Sequence, residues 1–271
     1  SFAQDTTVYA VTNYTNFTWS GTKITGVSGS KPKGKIIIPD GCTEIGAFTF
    51  GWSYLTQVSL PASLTSIGES AFGNCSSLQQ VNFSENLTAI GKSAFEGCSS
   101  LQQVNFPKNL TAIGAFQNCS NLKQVDLSTC TALTKIGERT FSMCSKLEEV
   151  KFPKNLTVIE KEAFFSCTNL TQAVLVGCTA LSEIGVNAFN SCQNLTYVTM
   201  PENLSIIGHN AFSSCSGVSV FDFYRCTAIT AIGHDAFSSC DSAEFKVKYM
   251  TTVKDKLIAA GVAAGKIVEI Y

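Results

Sequence analysis

Histidine, tryptophan and methionine are nearly missing from this chain, whose 271 residues hold two, two and three of them. With only His209 and His234 available, and no nucleophile motif such as G-x-S-x-G, the sequence argues against hydrolytic catalysis. Charge is scarce as well. Charged residues make up 14% of the chain, and 19 basic side chains balance 20 acidic ones, so no net field favours nucleic acid. No apolar run approaches the roughly 20 residues of a membrane helix. No signal peptide is visible, and the chain opens at Ser1 without a methionine, as a mature or trimmed product would. Residues 1–6 are therefore set aside from fold reasoning. There are twelve cysteines but no C-x-x-C pair, which removes the usual support for a structural zinc site.

What is present is repetition. IGESAFGNCSSLQQVNFSENLTA (67–89) is followed at once by IGKSAFEGCSSLQQVNFPKNLTA (90–112). Blocks starting at Ile45, Ile67, Ile90, Ile113, Ile136, Ile159, Ile184, Ile207 and Ile232 follow one another at steps of 22, 23 or 25 residues. A fixed period of that length containing Leu-x-x-Val-x-Phe is the signature of a leucine-rich repeat solenoid. In LQQVNF, Val81 and Phe83 alternate with Gln80 and Asn82, which predicts a short strand with one buried and one wet face. Pro61, Pro107, Pro153 and Pro201 follow such strands and end them, because proline cannot continue a ladder. Phe72, Phe95, Phe116, Phe141, Phe164, Phe189, Phe212 and Phe237 form a column on the returning arm and are expected to stack as an interior spine. From residue 113 onward a proline turn (FPKNLT) alternates with a C-T-A turn, giving a higher period of 48 residues.

Eight cysteines share one column: Cys75, Cys98, Cys119, Cys144, Cys167, Cys192, Cys215 and Cys240. Cys130, Cys178 and Cys226 form a second, and Cys42 stands outside both. Residues in one column point the same way about 4.8 Å apart, whereas a disulfide needs side chains aimed at each other with Cβ atoms about 3.8 Å apart. The expectation is a ladder of small buried thiols.

Both ends differ from the middle. Residues 1–44, with TVYAVT, FTWSGTKITGV and KIIIPDG, read as a β-rich N-terminal cap and lead-in. Residues 45–249 are the repeats. Residues 250–271 read as a C-terminal cap: a short helix with Thr251 or Thr252 at its N-cap and Gly261 just past its end, then a strand in KIVEIY. The expected fold is an α/β-type solenoid, a right-handed superhelix of about nine repeats of 23–25 residues. Its parallel sheet on one face would span roughly 45 Å at about 4.8 Å per strand.

The pattern I-G-x-x-A-F-x-x-C-x-x-L-x-x-V-x-[FL]-P resembles the BspA-like leucine-rich repeat family, including the Treponema pallidum-type repeats. The lead-in GTKITGVSGSKPKGKIIIPDGCTEIG resembles that of the same family, and the likeness covers roughly residues 20–250. The resemblance implies a bacterial protein that is secreted or displayed at the cell surface and takes part in adhesion. It implies as partners a host extracellular-matrix protein of the fibronectin or fibrinogen kind, a surface glycan, or another bacterial surface protein. It carries over no binding residues, and it implies neither cofactor nor membrane span. The chain is expected to be a monomer or weak oligomer.

The wet strand face is the candidate site. Its N-terminal half is an amide ladder (Gln57, Gln80, Asn82, Gln103, Asn105). Its C-terminal half is varied, and Glu149, Lys151, Gln172, Tyr197, Thr199 and Asp222 are the candidate ligand-binding residues there, because varied side chains around an aromatic anchor suit recognition. The alternative is a solvated sheet whose amide ladders steady the stack. GSKPKGKI (29–36) has a G-x-x-x-x-G-K skeleton, but Ile36 replaces the hydroxyl residue and a strand replaces the helix, so it reads as a basic turn. His209 and His234 occupy one repeat position and are expected to stack on an exposed arm. The eleven Asn-x-Ser/Thr matches, Asn74, Asn86, Asn109 and Asn155 among them, are by-products of the repeat.

Overall fold

A computed structural model describes residues 14–271; the predicted strand in residues 7–12 lies outside them. The chain coils into a parallel β-solenoid, and each coil contributes to two ladders. The long-strand face carries the nine repeat strands, from Tyr54–Ser59 to Glu244–Lys248. It is extended by Lys33–Ile37 at one end and Ile267–Ile270 at the other, giving eleven strands. The second ladder, which the repeat pattern does not announce, consists of two-residue strands ending at the motif isoleucines, such as Ser66–Ile67, Ala89–Ile90 and Ile206–Ile207. Between the ladders run turns rather than helices. Among the described residues the only α-helix is Val253–Ala259, in the C-terminal cap.

The motif follows from what each position touches. The phenylalanine rings stack face to face along the solenoid, with centroids 5.1 Å apart between Phe72 and Phe95 and 5.2 Å between Phe189 and Phe212. The spine starts one coil earlier than the sequence column, at Phe50, which stacks on Phe72. All twelve cysteines are free and buried. The eight in the main column also make a directed contact. Each Sγ donates to the phenylalanine carbonyl of the preceding coil, as Cys144 does to Phe116 at 3.2 Å and Cys192 to Phe164 at 3.2 Å. From Phe72 onward that carbonyl also accepts its own coil's cysteine N–H, and at Phe50 the Ser53 N–H, so both of its lone pairs are engaged (for Phe164, by Cys167 N–H and Cys192 Sγ).

The glycine after most of these isoleucines is required by close approach; Gly114 has room for a Cβ, and Ile159 is followed by Glu160 instead. A Cβ on Gly208 would lie 2.5 Å from the backbone nitrogen of Val186, and one on Gly185 would lie 2.7 Å from that of Lys161. The N-L-T turn has an equally local cause. The Asn86 side-chain amide donates to the Ala62 carbonyl at 2.8 Å, and Asn155 to Thr131 at 2.8 Å. The threonine hydroxyls form a parallel ladder, Thr88 to Thr65 at 3.1 Å and Thr111 to Thr88 at 2.9 Å. Glycosylation-like triplets therefore arise because both side chains stitch one coil to the next.

The ends are covered. Strand Phe17–Ser20 pairs antiparallel with Lys23–Val27, which joins the short ladder beside Glu44–Ile45. At the other end Thr252 occupies the N-cap position without a side-chain capping bond, and Gly261 follows the helix at φ +95°. Strand Ile267–Ile270 then pairs parallel with Glu244–Lys248.

Candidate binding groove on the long-strand face

Because strand side chains alternate, two rows project from the long face in register. Gln103, Gln124 and Glu149 form one row, and Asn105, Asp126 and Lys151 form the other. Further along, Gln172 and Tyr197 continue beside Val220, and Val174 and Thr199 beside Asp222. The rows expected from the sequence are those observed.

The face is not one continuous sheet. Its ladder breaks between Glu149–Lys151 and Gln172–Val174, leaving a six-stranded and a five-stranded segment. At that break lies a groove of about 670 Å³ lined by Gln124, Glu148, Glu149, Val150, Lys151, Phe152, Thr171, Gln172 and Val174. Val150 and Phe152 are otherwise inward-facing core residues and supply an apolar floor, while the rim is charged and polar. A shallower groove of about 330 Å³ lies over Gln80–Asn82 and Gln103–Asn105, where pairing is reduced to Asn82 opposite Asn105. Apart from Thr56 and Val81, its lining side chains are amides.

The predicted site residues divide into two groups. Glu149, Lys151 and Gln172 come together in the larger groove. Lys151 Nζ lies 3.4 Å from Asp126 Oδ2. Burial pushes the Asp126 carboxyl up, but hydrogen bonds from Ser128 and the Lys151 ammonium outweigh it and hold the group below its ordinary range. Tyr197, Thr199 and Asp222 lie apart from this groove. The Tyr197 hydroxyl donates to Asp222 Oδ2 at 3.0 Å, and burial, then the neighbouring carboxylate, pushes its pKa up. Asp222 Oδ1 accepts the Tyr224 N–H at 2.9 Å. Thr199 Oγ1 accepts the N–H groups of Leu175 and Val176 at 3.2 and 3.3 Å, so it ties its turn to the preceding coil. Sequence reasoning missed Glu148, Thr171 and the apolar floor. The one local signal was Ala173, standing in the column held by Val150 and Val198.

The other sequence candidates also find their places. His209 and His234 stack at 5.7 Å, and the His234 N–H donates to His209 Nδ1 at 3.1 Å, which engages that nitrogen's lone pair. Among the described residues no group of three or more His, Cys, Asp or Glu side chains is placed to hold a metal ion. The segment with the phosphate-loop skeleton enters strand Lys33–Ile37, with Gly34 at φ +70° beside a register shift, and presents no helix terminus.

The family model for the BspA type leucine rich repeat region matches residues 30–133 and 114–244, in six copies. The chain belongs to the BspA-type leucine-rich repeat family. Solved structures of similar fold include a leucine rich cell surface protein from Faecalibacterium prausnitzii A2-165, 22% identical, with 92% of this chain and 89% of that one covered and a TM-score of 0.49. The Treponema pallidum leucine rich repeat protein TpLRR is 22% identical, with 91% and 94% covered and a TM-score of 0.41. The pneumococcal vaccine antigen PcpA is 20% identical, with 92% and 77% covered and a TM-score of 0.43. No curated protein matches the chain. The BspA-type repeat is a scaffold, and among the described residues no helix is long and apolar enough to cross a membrane.

Proposed function

We propose that this BspA-type chain is a non-catalytic adhesion module, secreted or displayed at a bacterial cell surface, that holds a partner protein against its long-strand face. The observation that supports this reading most directly is the parting of the sheet at Glu149–Lys151 and Gln172–Val174. The groove there is floored by the largely buried Val150 and Phe152, within a rim that carries both charge signs. That combination fits an extended protein segment with one apolar anchor flanked by polar residues. A matrix protein of the fibronectin or fibrinogen kind, or another bacterial surface protein, presents such segments. The uniform amide ladder of the N-terminal half favours a second reading for that half alone, as a spacer within a larger envelope protein.

The test is binding of the purified chain to a panel of matrix proteins, mucins and glycans, beside a variant carrying Glu149→Ser, Lys151→Ser and Val174→Ser. Thr199 and Asp222 are left intact because they secure turns. Saturable protein binding by the parent, lost in the folded variant, supports the groove. Equal binding by both removes it from the reading. A chain that binds no panel member is a spacer.

A further inference from the structure

The arm of nearly every coil passes through two left-handed residues four apart. In most coils these are small or polar: Ser70 and Asn74, Asn187 and Ser191, Asn210 and Ser214, Asp235 and Ser239. The first coil instead places Phe48 at φ 57° and Trp52 at φ 62°. Left-handed backbone costs a residue with a Cβ about 1–2 kcal/mol. Serine, asparagine and aspartate offset part of this through local hydrogen bonds, which an aromatic ring cannot make. Burial does not compensate either, since Phe48 is 63% and Trp52 73% exposed. Their backbones are fixed by bonds to the next coil, Phe48 N–H to Glu69 O at 2.9 Å and Trp52 N–H to Gly73 O at 2.8 Å. Two large rings thus stand in water at positions where the other coils, the Arg139–Met143 coil apart, carry small or polar side chains.

The rings border a cleft of about 340 Å³, whose other walls are Lys31, Gly51, Ser70, Gly73 and Asn74. Its chemistry is specific: two aromatic faces, one hydroxyl, one amide, and a single ionisable side chain, which is a cation. A cleft of this size is at the lower end of those that take small ligands. We propose that it binds an anionic saccharide. Pyranose rings lay their C–H faces on Phe48 and Trp52, their hydroxyls meet Ser70 and Asn74, and a carboxylate or sulfate faces Lys31. An apolar peptide would fill the aromatic surface but leave the ammonium, hydroxyl and amide unmatched. This site lies on the arm of the first coil and is separate from the groove proposed for protein.

The chain supplies its own reporter, because Trp19 and Trp52 are its only tryptophans. In a Trp19→Phe background all indole emission comes from Trp52. Heparin and hyaluronan oligosaccharides are titrated as anionic probes and a chito-oligosaccharide as the neutral one. The proposal expects saturable protection of Trp52 from acrylamide by an anionic probe, and affinity weakened about tenfold or more by Phe48→Ala, a loss of ~1.4 kcal/mol. Lys31→Gln should weaken the anionic probes and leave the neutral one unchanged. The long-face triple variant should bind the saccharides as the parent does. Trp52 that stays equally quenchable with every probe overturns the proposal. So does equal affinity for neutral and anionic probes, or binding that survives Phe48→Ala undiminished.

Discussion

Raising the pH should unfold this solenoid through its thiols, before those thiols ionise in the folded state. Burial pushes Cys144 and Cys192 up to about 12, against an ordinary value of 9.0, and it raises every other cysteine in the main column. The sign follows directly. The folded state keeps its thiols protonated, whereas the unfolded chain releases their protons from about pH 9 upward. The thiol contribution to stability is therefore complete below the unfolded value and is lost as the pH rises toward the folded one. Each thiol that stays protonated in the folded state contributes a slope of at most about 1.4 kcal/mol per pH unit, and the seven pushed furthest up, all but Cys75, together at most about 10 kcal/mol per pH unit. A domain stability of roughly 5–15 kcal/mol would vanish within about one and a half units above pH 9.

The assay is urea unfolding followed by circular dichroism at pH values from about 8 to about 11, with thiolate absorbance recorded in parallel. Dichroism and thiolate signals should change together, because ionisation happens on unfolding. A double variant, Cys144→Ala with Cys192→Ala, should lower the slope of stability against pH by about 3 kcal/mol per unit. A parent whose stability is flat to about pH 11, thiolate that appears while the dichroism is native, or a double variant with the parent's slope would refute the reasoning.

Four further outcomes are expected. Phe164→Ala removes a fully buried ring stacked between Phe141 and Phe189 and should destabilise by about 3–5 kcal/mol in urea titrations. Gly208→Ala drives a Cβ into the preceding coil and should destabilise by about 1–3 kcal/mol if the coils shift to admit it, read as a lower thermal midpoint. Gly177→Ala meets no atom within 4 Å and should be neutral or stabilising by up to about 1 kcal/mol. The Arg139 guanidinium, bonded to Glu162, holds that carboxyl below its ordinary 4.5; the stabilisation is complete above that value and lost as pH falls through the lower folded one. Because the pair is partly exposed, Glu162→Gln should cost at most about 1 kcal/mol near neutral pH, and the difference from the parent should close in acid.

The repeat made much of the fold legible. Alternation in LQQVNF placed the long strands and their outward rows, and columnar spacing placed the phenylalanines and excluded disulfides. Thr252 before an apolar run and Gly261 after it located the terminal helix. The second ladder was hidden because a two-residue strand is too short to show a period; only the isoleucine and its glycine mark it. The break at Gln172–Val174 was hidden for a different reason. Side-chain pattern reports which face a residue takes, while hydrogen bonding between neighbouring coils depends on their relative pitch. The long-face candidates were chosen by direction and by variety around Tyr197, neither of which reports hydrogen bonding, so Thr199 and Asp222 entered the set although their oxygens already accept backbone N–H groups. Phe48 and Trp52 went unmarked because their left-handed backbone leaves no trace in an apolar pattern, which does not separate them from the buried Phe50 between them.

A translational repeat constrains where recognition can arise. A feature built from consensus positions recurs in every coil, so it offers a partner many equivalent registers and specifies none of them. The row of Gln57, Gln80 and Gln103 is of this kind, and a ligand that fits one step fits the next. A unique register requires a departure from the repeat that changes the surface without breaking the core. Two departures meet that condition. At Gln172–Val174 the sheet parts while the phenylalanine spine runs through unbroken, with Phe141 and Phe164, on the two coils that flank the break, still stacked 5.5 Å apart. In the first coil the left-handed positions take aromatic side chains while their backbone bonds to the next coil stay in place. In both, the interior contacts that hold the stack are independent of the surface residues that vary. A solenoid can therefore acquire a specific site at one coil at little cost to its neighbours.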